Sequence, residues 1–426
     1  MTSREVIDAI HARQHTAKKV GLGPTFRLME ALHIPPKPDA VIVHVAGTNG
    51  KGSTCAMLER VLREAGYRTG LYTSPFLQSY HERIRICGEP MDDDRLAVLG
   101  SRLLACAREL EAHGESPFQP FELGTVLAGM AFLDAHCDIW ILETGMGGRL
   151  DATSCFVPSL CAVTRIGMDH MQILGDTLEA IAGEKAGILR PGVPVVVHPS
   201  PEKARQVIFA RAKALECPVY DVQAQDMHIQ EEDSRGLTLT WHGRTYRIAL
   251  PGTHQAENAS GVLLAVKVLQ TMGLQIPEEA VSHGLARVVW PGRLEWIGPV
   301  CLDSAHNTDG MRALLRYADR IPGGMILILG KMKDKQMMPA LMTLARRARL
   351  VYCVCPEEGR GMEAGDLARS LRRGGCVALS CESPEEALEK AQAMRRETEW
   401  ILVTGSMYLV GHMRTVLGQA WRGGNP

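Results

Sequence analysis

Residues 44–54 read His-Val-Ala-Gly-Thr-Asn-Gly-Lys-Gly-Ser-Thr, a glycine-rich loop between an apolar run and an amphipathic stretch. The apolar run, residues 41–45, predicts a buried strand, and residues 53–65 predict a helix. Glycines let the backbone wrap around a phosphate chain, so that backbone amides and the helix N-terminus face its charge. The loop therefore predicts a nucleotide-phosphate site formed by Gly47, Thr48, Asn49, Gly50, Lys51, Gly52, Ser53 and Thr54.

The spacing of this loop departs from the standard P-loop. Gly47 lies four residues before Lys51 rather than about six, and Gly52 separates the lysine from the hydroxyl residues. An ordinary glycine turn between strand and helix is the alternative, but it does not require a lysine and two hydroxyls in this order. We therefore expect Lys51 to reach the outer phosphates and Ser53 or Thr54 to reach a magnesium ion.

Strand-length apolar runs alternate with helix-length amphipathic stretches after the loop. Residues 139–143, 160–164 and 193–197 predict buried strands, and residues 178–188 predict a helix that ends near Pro191-Gly192. This alternation is typical of a mostly parallel sheet with helices on both faces. Residues 226–250 differ, because alternating runs at 237–241 and 246–250 flank His242-Gly243 and predict an appended antiparallel hairpin.

A second series of strands and helices begins after Trp290-Pro291-Gly292-Arg293. Its predicted strands are residues 300–303, 325–329, 350–354, 376–379 and 400–403. We therefore predict an α/β protein in two domains. Residues 1–292 form a P-loop ATPase domain with a parallel sheet and the small antiparallel element, and residues 293–426 form a smaller Rossmann-like α/β domain.

Composition excludes several classes of protein. The net charge of −1 gives no whole-chain attraction to nucleic acid or to an anionic membrane. The N-terminus lacks the pattern of a secretory signal, and the apolar runs are far shorter than a membrane span. The twelve cysteines are scattered without a Cys-x-x-Cys pair, which predicts reduced thiols rather than disulfides or a zinc site. We therefore expect a cytoplasmic protein with no nucleic-acid or membrane partner.

For three polar residues, the position in the sequence gives different amounts of information about function. Glu143 ends a predicted strand at a glycine-rich turn, where open α/β sheets bind ligands, and a hard carboxylate there suits magnesium. A turn-capping role is the alternative for Glu143. His170 would ordinarily be a packed or surface histidine, and Lys185, inside a helical pattern, an exposed helix lysine.

The loop and further segments resemble, in order along nearly the whole chain, the motifs of the folylpolyglutamate synthase/dihydrofolate synthase family of the Mur ligase superfamily. The similar segments after the loop are residues 73–77 with 82–84, 143–153, 169–170, 184–188, 252–259, 291–295, 303–307 and 404–406.

The resemblance implies an ATP-dependent ligase that joins L-glutamate to dihydropteroate, to reduced folates, or to both, through an acyl phosphate. It implies that Glu143, Ser74 and the hydroxyl of Ser53 hold one magnesium ion, and that His170 shares a second with Glu143. It also implies that Lys185 carries a carbamate. By the same resemblance, the catalytic residues are Glu143, His170 and Lys185.

The resemblance extends to the other substrates. Asn258 and Asp303 are expected at the nucleoside of ATP, and Arg293 and His306 at its phosphates. Phe76 and Arg83, together with residues 21–24, are candidates for the folate site. Because the two domains both contribute, we expect them to close around the substrates, and we expect a monomer.

Three positions depart from the family pattern. Ser154 stands where asparagine is usual, Arg165 where a small residue is usual, and Thr308 where proline is common. None of them is an expected metal or phosphate ligand. Arg165 lies close in sequence to Asp169-His170, where its charge would influence the local electrostatics or the choice of substrate.

Other functions remain open from the sequence. The nearest alternative is a ligase limited to one of the two glutamate additions. A cell-wall ligase of the Mur type is a further alternative, but we see no sizeable extra domain before the first strand. An inactive ATP-binding relative would be expected to have lost catalytic ligands, whereas Lys51, Ser74, Glu143 and Lys185 are all in place.

Overall fold

Eight strands form the first sheet in a computed structural model that describes residues 1–13, 21–222, 227–333 and 338–419. These strands are β1 (Val41–Ala46), β2 (Thr69–Tyr72), β3 (Ile84–Ile86), β4 (Glu89–Pro90), β5 (Ile139–Glu143), β6 (Leu160–Val163), β7 (Val195–Val197) and β8 (Val219–Asp221). Their order is β4-β3-β2-β5-β1-β6-β7-β8. The pairs from β2 to β8 are parallel, and β3 and β4 add an antiparallel edge.

Helices cover both faces of this sheet. They are α1 (Ser3–His11), α2 (Gly23–Ala31), α3 (Lys51–Glu64), α4 (Asp93–Ala112), α5 (Pro120–Asp134), α6 (Met171–Leu174), α7 (Leu178–Lys185), α8 (Glu202–Ala214), α9 (His254–Thr271) and α10 (Glu278–Ala286). Val43 and Val45 of β1 pack on the face that carries α3 and α9, whereas Ile42 packs on the opposite face against α5. Burial on both faces explains why the central strands are continuous apolar runs.

The appended antiparallel element has three strands rather than two: β9 (Met227–Asp233), β10 (Gly236–Trp241) and β11 (Arg244–Ile248). The predicted hairpin is confirmed as β10 and β11, and Leu239 and Ile248 of its inner face are buried in the core that contains α3 and α9. The prediction missed β9 because its residues are mostly exposed and polar and therefore lack a buried alternation. Asp226, where the predicted segment begins, lies outside the described residues.

A six-stranded sheet forms the second α/β unit. Its strands are β12 (Glu295–Ile297), β13 (Val300–Leu302), β14 (Met325–Gly330), β15 (Leu350–Val354), β16 (Ala378–Ser380) and β17 (Trp400–Thr404), in the order β12-β13-β17-β14-β15-β16. Its helices are α11 (Thr308–Ala318), α12 (Pro339–Arg347), α13 (Ala364–Arg373), α14 (Pro384–Met394) and α15 (Met407–Val416). All pairs are parallel except β12 with β13.

The predicted fold class is confirmed, and each predicted strand matches an observed strand within two residues at either end. The helix predicted for residues 178–188 is different, because the α-helix ends at Lys185 and a 3-10 turn, Ala186–Ile188, follows. There Gly187 packs directly on Arg149, whose backbone nitrogen would lie 2.7 Å from any added Cβ. The division between residues 292 and 293 stays a prediction; β12 begins just after it.

All twelve cysteines are free thiols. Across the described ranges, no helix combines the length and apolar character needed to cross a membrane.

His198, directly after β7, is a buried histidine. It is 1% exposed, and neither ring nitrogen finds a hydrogen-bond partner in the part of the chain that the structure describes. Gly261 of α9 packs against the ring so closely that a Cβ would lie 2.0 Å from Nε2. Burial lowers the pKa of His198 to about 4.

We expect His198 to make the fold less stable as the pH falls from about 6.5 toward about 4. In that window the unfolded histidine binds a proton and the folded one does not, so stability falls by about 1.4 kcal/mol per pH unit at full effect. Thermal unfolding of the wild type and of His198→Leu, at about pH 7 and about pH 5, tests this. The variant should lose less stability between the two pH values; an equal loss would contradict the assignment.

Candidate functional site

The glycine loop joins β1 to α3 in the predicted way. Gly50, the N-cap of α3, has φ 90°, a left-handed conformation that favours glycine, and a Cβ there would lie 2.3 Å from Asn258 Oδ1. The amides of Thr48 and Asn49 donate to the carbonyl of Arg165 at 3.0 and 3.2 Å. The amides of the first helical turn, beginning at Lys51, are therefore the donors that face an anion.

Lys51 lies between the loop and Glu143. Its ammonium donates to the carbonyls of Gly47 (3.1 Å) and Thr48 (3.4 Å) and lies 3.9 Å from Glu143 Oε1. Ser53 is buried, and its Oγ accepts a hydrogen bond from Gln255 Nε2 at 3.3 Å. Lys51 and Ser53 both lie in the first turn of α3, directly after the glycine turn.

Glu143 is 4% exposed at the carboxyl end of β5, one strand from the loop. Its Oε2 accepts a hydrogen bond from the Ser74 amide at 3.2 Å, just beyond the end of β2. Burial raises the pKa of the Glu143 carboxyl, while the Lys51 ammonium and the Ser74 amide oppose that rise. The two neighbouring strand ends thus bring a carboxylate and a serine together beside a cation.

Lys185 is buried rather than solvent-exposed. It is the last residue of α7, 4% exposed, and its Nζ donates to the carbonyl of Gly47 at 2.8 Å. The ordinary interpretation of a helix lysine is therefore wrong here, because α7 ends directly beneath the glycine loop.

Asp169 and His170 follow the end of β6 and face the same loop. His170 has φ 50° and caps the short helix α6, and Asp169 Oδ1 accepts a hydrogen bond from the His170 amide at 2.9 Å. Thr48 Oγ1 exchanges two hydrogen bonds of 3.0 Å with the backbone of Gly167. The segment that carries His170 is therefore tied to the glycine loop within the first domain.

The second sheet contributes residues from the end of β13. Asp303 is buried, and its two carboxylate oxygens accept hydrogen bonds from the amides of Leu294 (3.1 Å) and Ala305 (3.0 Å). Burial raises the pKa of Asp303, and the Arg293 guanidinium opposes the rise. His306 Nδ1 lies 2.9 Å from the Ser304 carbonyl. Asp303 therefore also shapes the turn that presents Arg293 and His306.

These residues line one cavity of about 640 Å³ between the two sheets. The sequence-predicted residues that line it are Gly47, Thr48, Asn49, Gly50, Lys51, Gly52, Ser53, Ser74, Glu143, His170, Lys185, Asn258, Arg293, Asp303 and His306. Thr54 does not line it, because its hydroxyl is buried in α3 and its amide donates to Gly50 inside the helix.

Phe76 and Arg83 lie beside this cavity rather than in it. Phe76 lines a smaller adjoining cavity that also includes Ser74 and Glu143. Arg83 lines neither cavity, and its guanidinium lies over the rings of Phe76 (5.2 Å) and Tyr80 (5.5 Å).

The loop that holds Ser74 and Phe76 also contacts the second sheet. Leu77 packs against the core under α15, and a Cβ on Gly411 of that helix would lie 2.0 Å from the Leu77 carbonyl oxygen. Gln78 Nε2 donates to Thr415 Oγ1 at 2.9 Å. A shift of the second domain would therefore move this loop.

The three departures from the family pattern have local explanations. Ser154 Oγ donates to the Gly148 carbonyl at 2.6 Å and so closes the turn after β5. Thr308 is the first residue of α11, a position that proline and threonine both tolerate. Arg165 lines the cavity, and its guanidinium lies 3.5 Å from Glu257. Its charge is therefore paired with a carboxylate of α9.

Sequence reasoning gave no role to Gln255 or Asn307, although both lie inside quoted motifs. Gln255 links Ser53 to Asn258. Its Nε2 donates to Ser53 Oγ, and its Oε1 accepts a hydrogen bond from Asn258 Nδ2 at 2.9 Å. Asn307 contacts both Asn49 and Asp169. Both residues could have been identified from the sequence, because each is a polar residue inside a motif to which no role had been assigned. Within the described ranges, no three His, Cys, Asp or Glu side chains form a metal-binding group.

Comparison with known proteins gives matches over both parts of the chain. Residues 45–266 match the Mur ligase middle domain, and residues 292–407 match the Mur ligase glutamate ligase domain. The dihydrofolate synthase/folylpolyglutamate synthase of Bacillus subtilis is 34% identical over 421 residues, covering 95% of this chain and 96% of that one. The Escherichia coli protein of the same name is 32% identical over 394 residues, covering 91% and 89%.

Solved structures resemble the whole fold. The Escherichia coli FolC protein in complex with DHPP and ADP superposes with a TM-score of 0.85 at 29% identity, covering 98% of each chain. The bifunctional folylpolyglutamate synthase/dihydrofolate synthase of Yersinia pestis, complexed with AMPPNP and Mn ion, gives a TM-score of 0.84 at 31% identity, again over 98% of each chain.

Proposed function

The chain belongs to the folylpolyglutamate synthase/dihydrofolate synthase family of the Mur ligase superfamily, and we propose that it adds L-glutamate to both dihydropteroate and reduced folates. It is an ATP-dependent ligase that joins glutamate to folates. The observation that carries the proposal is the single cavity in which Lys51, Glu143, Lys185 and Arg293 meet. Two relatives that cover most of this chain are named for both activities.

The proposed reaction has two steps. The acceptor carboxylate attacks the γ-phosphorus of ATP, which forms an acyl phosphate and releases ADP. The amine of glutamate then attacks the acyl carbon, phosphate leaves, the amine loses a proton and the amide forms. Lys51, Arg293 and the first-turn amides of α3 offset the negative charge that gathers in both steps. Closure of the two sheets around the cavity excludes water from the acyl phosphate.

The donor set fits magnesium. Ser74 and Glu143, at adjacent strand ends, and Ser53, in the first turn of α3, offer hard oxygen atoms to the cavity, which is the ligand type that this ion prefers. A bound ion keeps several positions for phosphate oxygens and water, so one protein carboxylate is enough. We assign the first ion to these three residues and a second to Glu143 with His170. When bound, the ions neutralise charge on the phosphates.

The adjoining smaller cavity supports a folate-binding role for Phe76, with Arg83 holding its ring. Asn258 and Asp303 are assigned to the nucleoside of ATP and His306 to its phosphates. We assign residues 1–292 to the ATPase domain and 293–426 to the glutamate-ligase domain. We further propose a cytoplasmic monomer. The near-neutral charge supports the proposal that it has no nucleic-acid or membrane partner.

Glutamate-dependent release of ADP tests the function. The assay uses magnesium-ATP with dihydropteroate and, in parallel, with tetrahydrofolate, and omits glutamate as the control. Turnover with both acceptors supports the dual enzyme. Turnover with only one acceptor indicates a single-step ligase. If that acceptor is tetrahydrofolate, the enzyme is a folylpolyglutamate synthase, the name of the Lacticaseibacillus casei relative that is 30% identical over 98% of this chain. No turnover with either would favour a cell-wall substrate or a non-catalytic protein.

A carbamate on Lys185 is the second part of the proposal. The Lys185 Nζ is buried and 2.8 Å from the Gly47 carbonyl, so its reaction with carbon dioxide would replace a buried cation by an anion near Glu143 and the magnesium site. Native protein equilibrated with ¹³C-bicarbonate should show a carbamate carbon resonance that is absent from Lys185→Met. Lys213→Met, which removes an exposed helix lysine, is the control. Identical spectra of the wild type and Lys185→Met would exclude the carbamate.

A further inference from the structure

Asn307 is a buried residue of the second domain that joins two segments of the first. Its Nδ2 donates to Asn49 Oδ1 at 2.9 Å and to Asp169 Oδ2 at 3.1 Å. Its Oδ1 accepts a hydrogen bond from the Gly310 amide at 2.9 Å and so caps α11. The side chain is 8% exposed at the edge of the main cavity. One amide group therefore connects the glycine loop, the segment before His170 and a helix N-terminus.

The neighbours of Asn307 fix which way its amide points. A carboxylate such as Asp169 only accepts hydrogen bonds, so it requires the NH₂ group, and the Gly310 amide requires the oxygen. Aspartate or serine in this position would still cap α11, but neither would offer the two amide hydrogens. The cap alone therefore does not require asparagine, whereas the bridge does.

The bridge lies in the middle of a close contact between the two domains. A Cβ on Gly167 would lie 2.0 Å from Asp309 Oδ2, so the first turn of α11 packs directly on the segment before His170. Within the first domain, Thr48 already ties this segment to the glycine loop through Gly167. Asn307 adds a link from the second domain to the glycine loop, through Asn49, and to the segment before His170, through Asp169.

We propose that Asn307 is a positioning residue that fixes the glycine loop and the His170 segment relative to each other when the second domain is in place. The proposal rests on the proposed ligase function, because it assigns Asn307 to the alignment of the ATP phosphates with the residues that hold magnesium. Asn307 acts through Asn49 and Asp169. Replacing Asn307 does not remove any residue assigned to phosphate or metal, but it allows the glycine loop and the His170 segment to move relative to each other.

The test uses Asn307→Ser and Asn307→Asp, which keep a helix cap and remove the bridge. Asp92→Asn is the matched control, because Asp92 caps α4 through the Arg95 amide at 2.7 Å and is exposed away from the cavity. Hydrogen exchange of the ligand-free proteins should be faster in peptides covering residues 47–50 and 165–170 of both Asn307 variants. Exchange in α11 should stay at the wild-type rate, and the control should change neither loop.

Activity provides the second readout. We expect kcat/KM for ATP to fall by about tenfold to a hundredfold in both variants, because misplaced reacting groups lose the gain from orientation. Asn307→Asp should show the larger loss, since it places a second carboxylate against Asp169. Asp92→Asn should match the wild type.

The outcomes separate this inference from the proposed function. Unchanged exchange in both loops, or faster exchange confined to α11, would overturn the bridge and leave Asn307 as a helix cap. Wild-type kcat/KM in both variants would also overturn it. If the wild type itself does not turn over folates, the proposed function fails, and the exchange experiment together with the affinity for magnesium-ADP still decides the role of Asn307.

Discussion

Glu143→Gln should abolish glutamate-dependent release of ADP and leave the protein folded. Glu143 is the one carboxylate at the strand ends beside Lys51 and Ser74 among the cavity residues that the structure describes. Glutamine has nearly the same shape but lacks the charge that a magnesium ion needs, so transition-state stabilisation worth several kcal/mol is lost. We expect turnover to fall by about 10³-fold or more.

The fold should tolerate this change because a buried carboxylate is itself unfavourable. Burial raises the pKa of Glu143, which means that the site disfavours its charge. Lys51 keeps its hydrogen bonds to the carbonyls of Gly47 and Thr48 when the charge of Glu143 is removed. The thermal midpoint should therefore stay near the wild-type value or rise. Glu109→Gln, on the exposed side of α4, is the control, and near-normal ligation by Glu143→Gln would refute the metal assignment.

Lys51→Ala should produce the second large loss. The ammonium of Lys51 lies where the glycine loop, the N-terminus of α3 and Glu143 meet, so it is the cation best placed for the outer phosphates. Without it, charge developing in phosphoryl transfer lacks its nearest partner, and we expect kcat/KM for ATP to fall by about 10³-fold or more.

The measurement for Lys51→Ala pairs steady-state kinetics with the affinity for magnesium-ADP. Both should be weakened, with the larger effect on turnover, because we assign the lysine to the phosphate that is transferred. Lys37→Ala removes an exposed lysine before β1 and serves as the control. Turnover of Lys51→Ala at the wild-type rate would refute the phosphate-loop assignment. Some loss of stability is expected, since Lys51 lowers the pKa of buried Glu143 and its removal leaves that carboxylate less well compensated.

The topology of the first sheet brings the residues changed in these two variants together. The residues that we assign to phosphate and metal follow the ends of β1, β2 and β5, which are neighbours in the sheet. The ends of adjacent parallel strands meet at one edge, so local motifs far apart in sequence converge. The second domain adds Arg293 and His306 from across the cavity, which explains why a site of this chemistry needs both sheets.

The sequence by itself determined the elements whose causes are local. The loop needs glycine at position 50 because its φ is 90°, and the buried strands show as apolar runs because both sheet faces are covered. Alternation of apolar residues was enough to predict β10 and β11, but β9 has no buried face and gives no such signal. Ordered motifs then indicated which polar residues belong to one site.

Only the tertiary structure decided which groups those residues meet. Helical periodicity cannot tell an exposed lysine from Lys185, whose partner Gly47 lies 138 residues earlier in the chain. Thr54 follows Ser53 directly, yet the turn of α3 buries its hydroxyl away from the cavity. The bridge from Asn307 to Asn49 spans 258 residues. Spacing along a chain fixes backbone conformation and the side of an element, whereas contacts between elements depend on how the sheets and helices pack together.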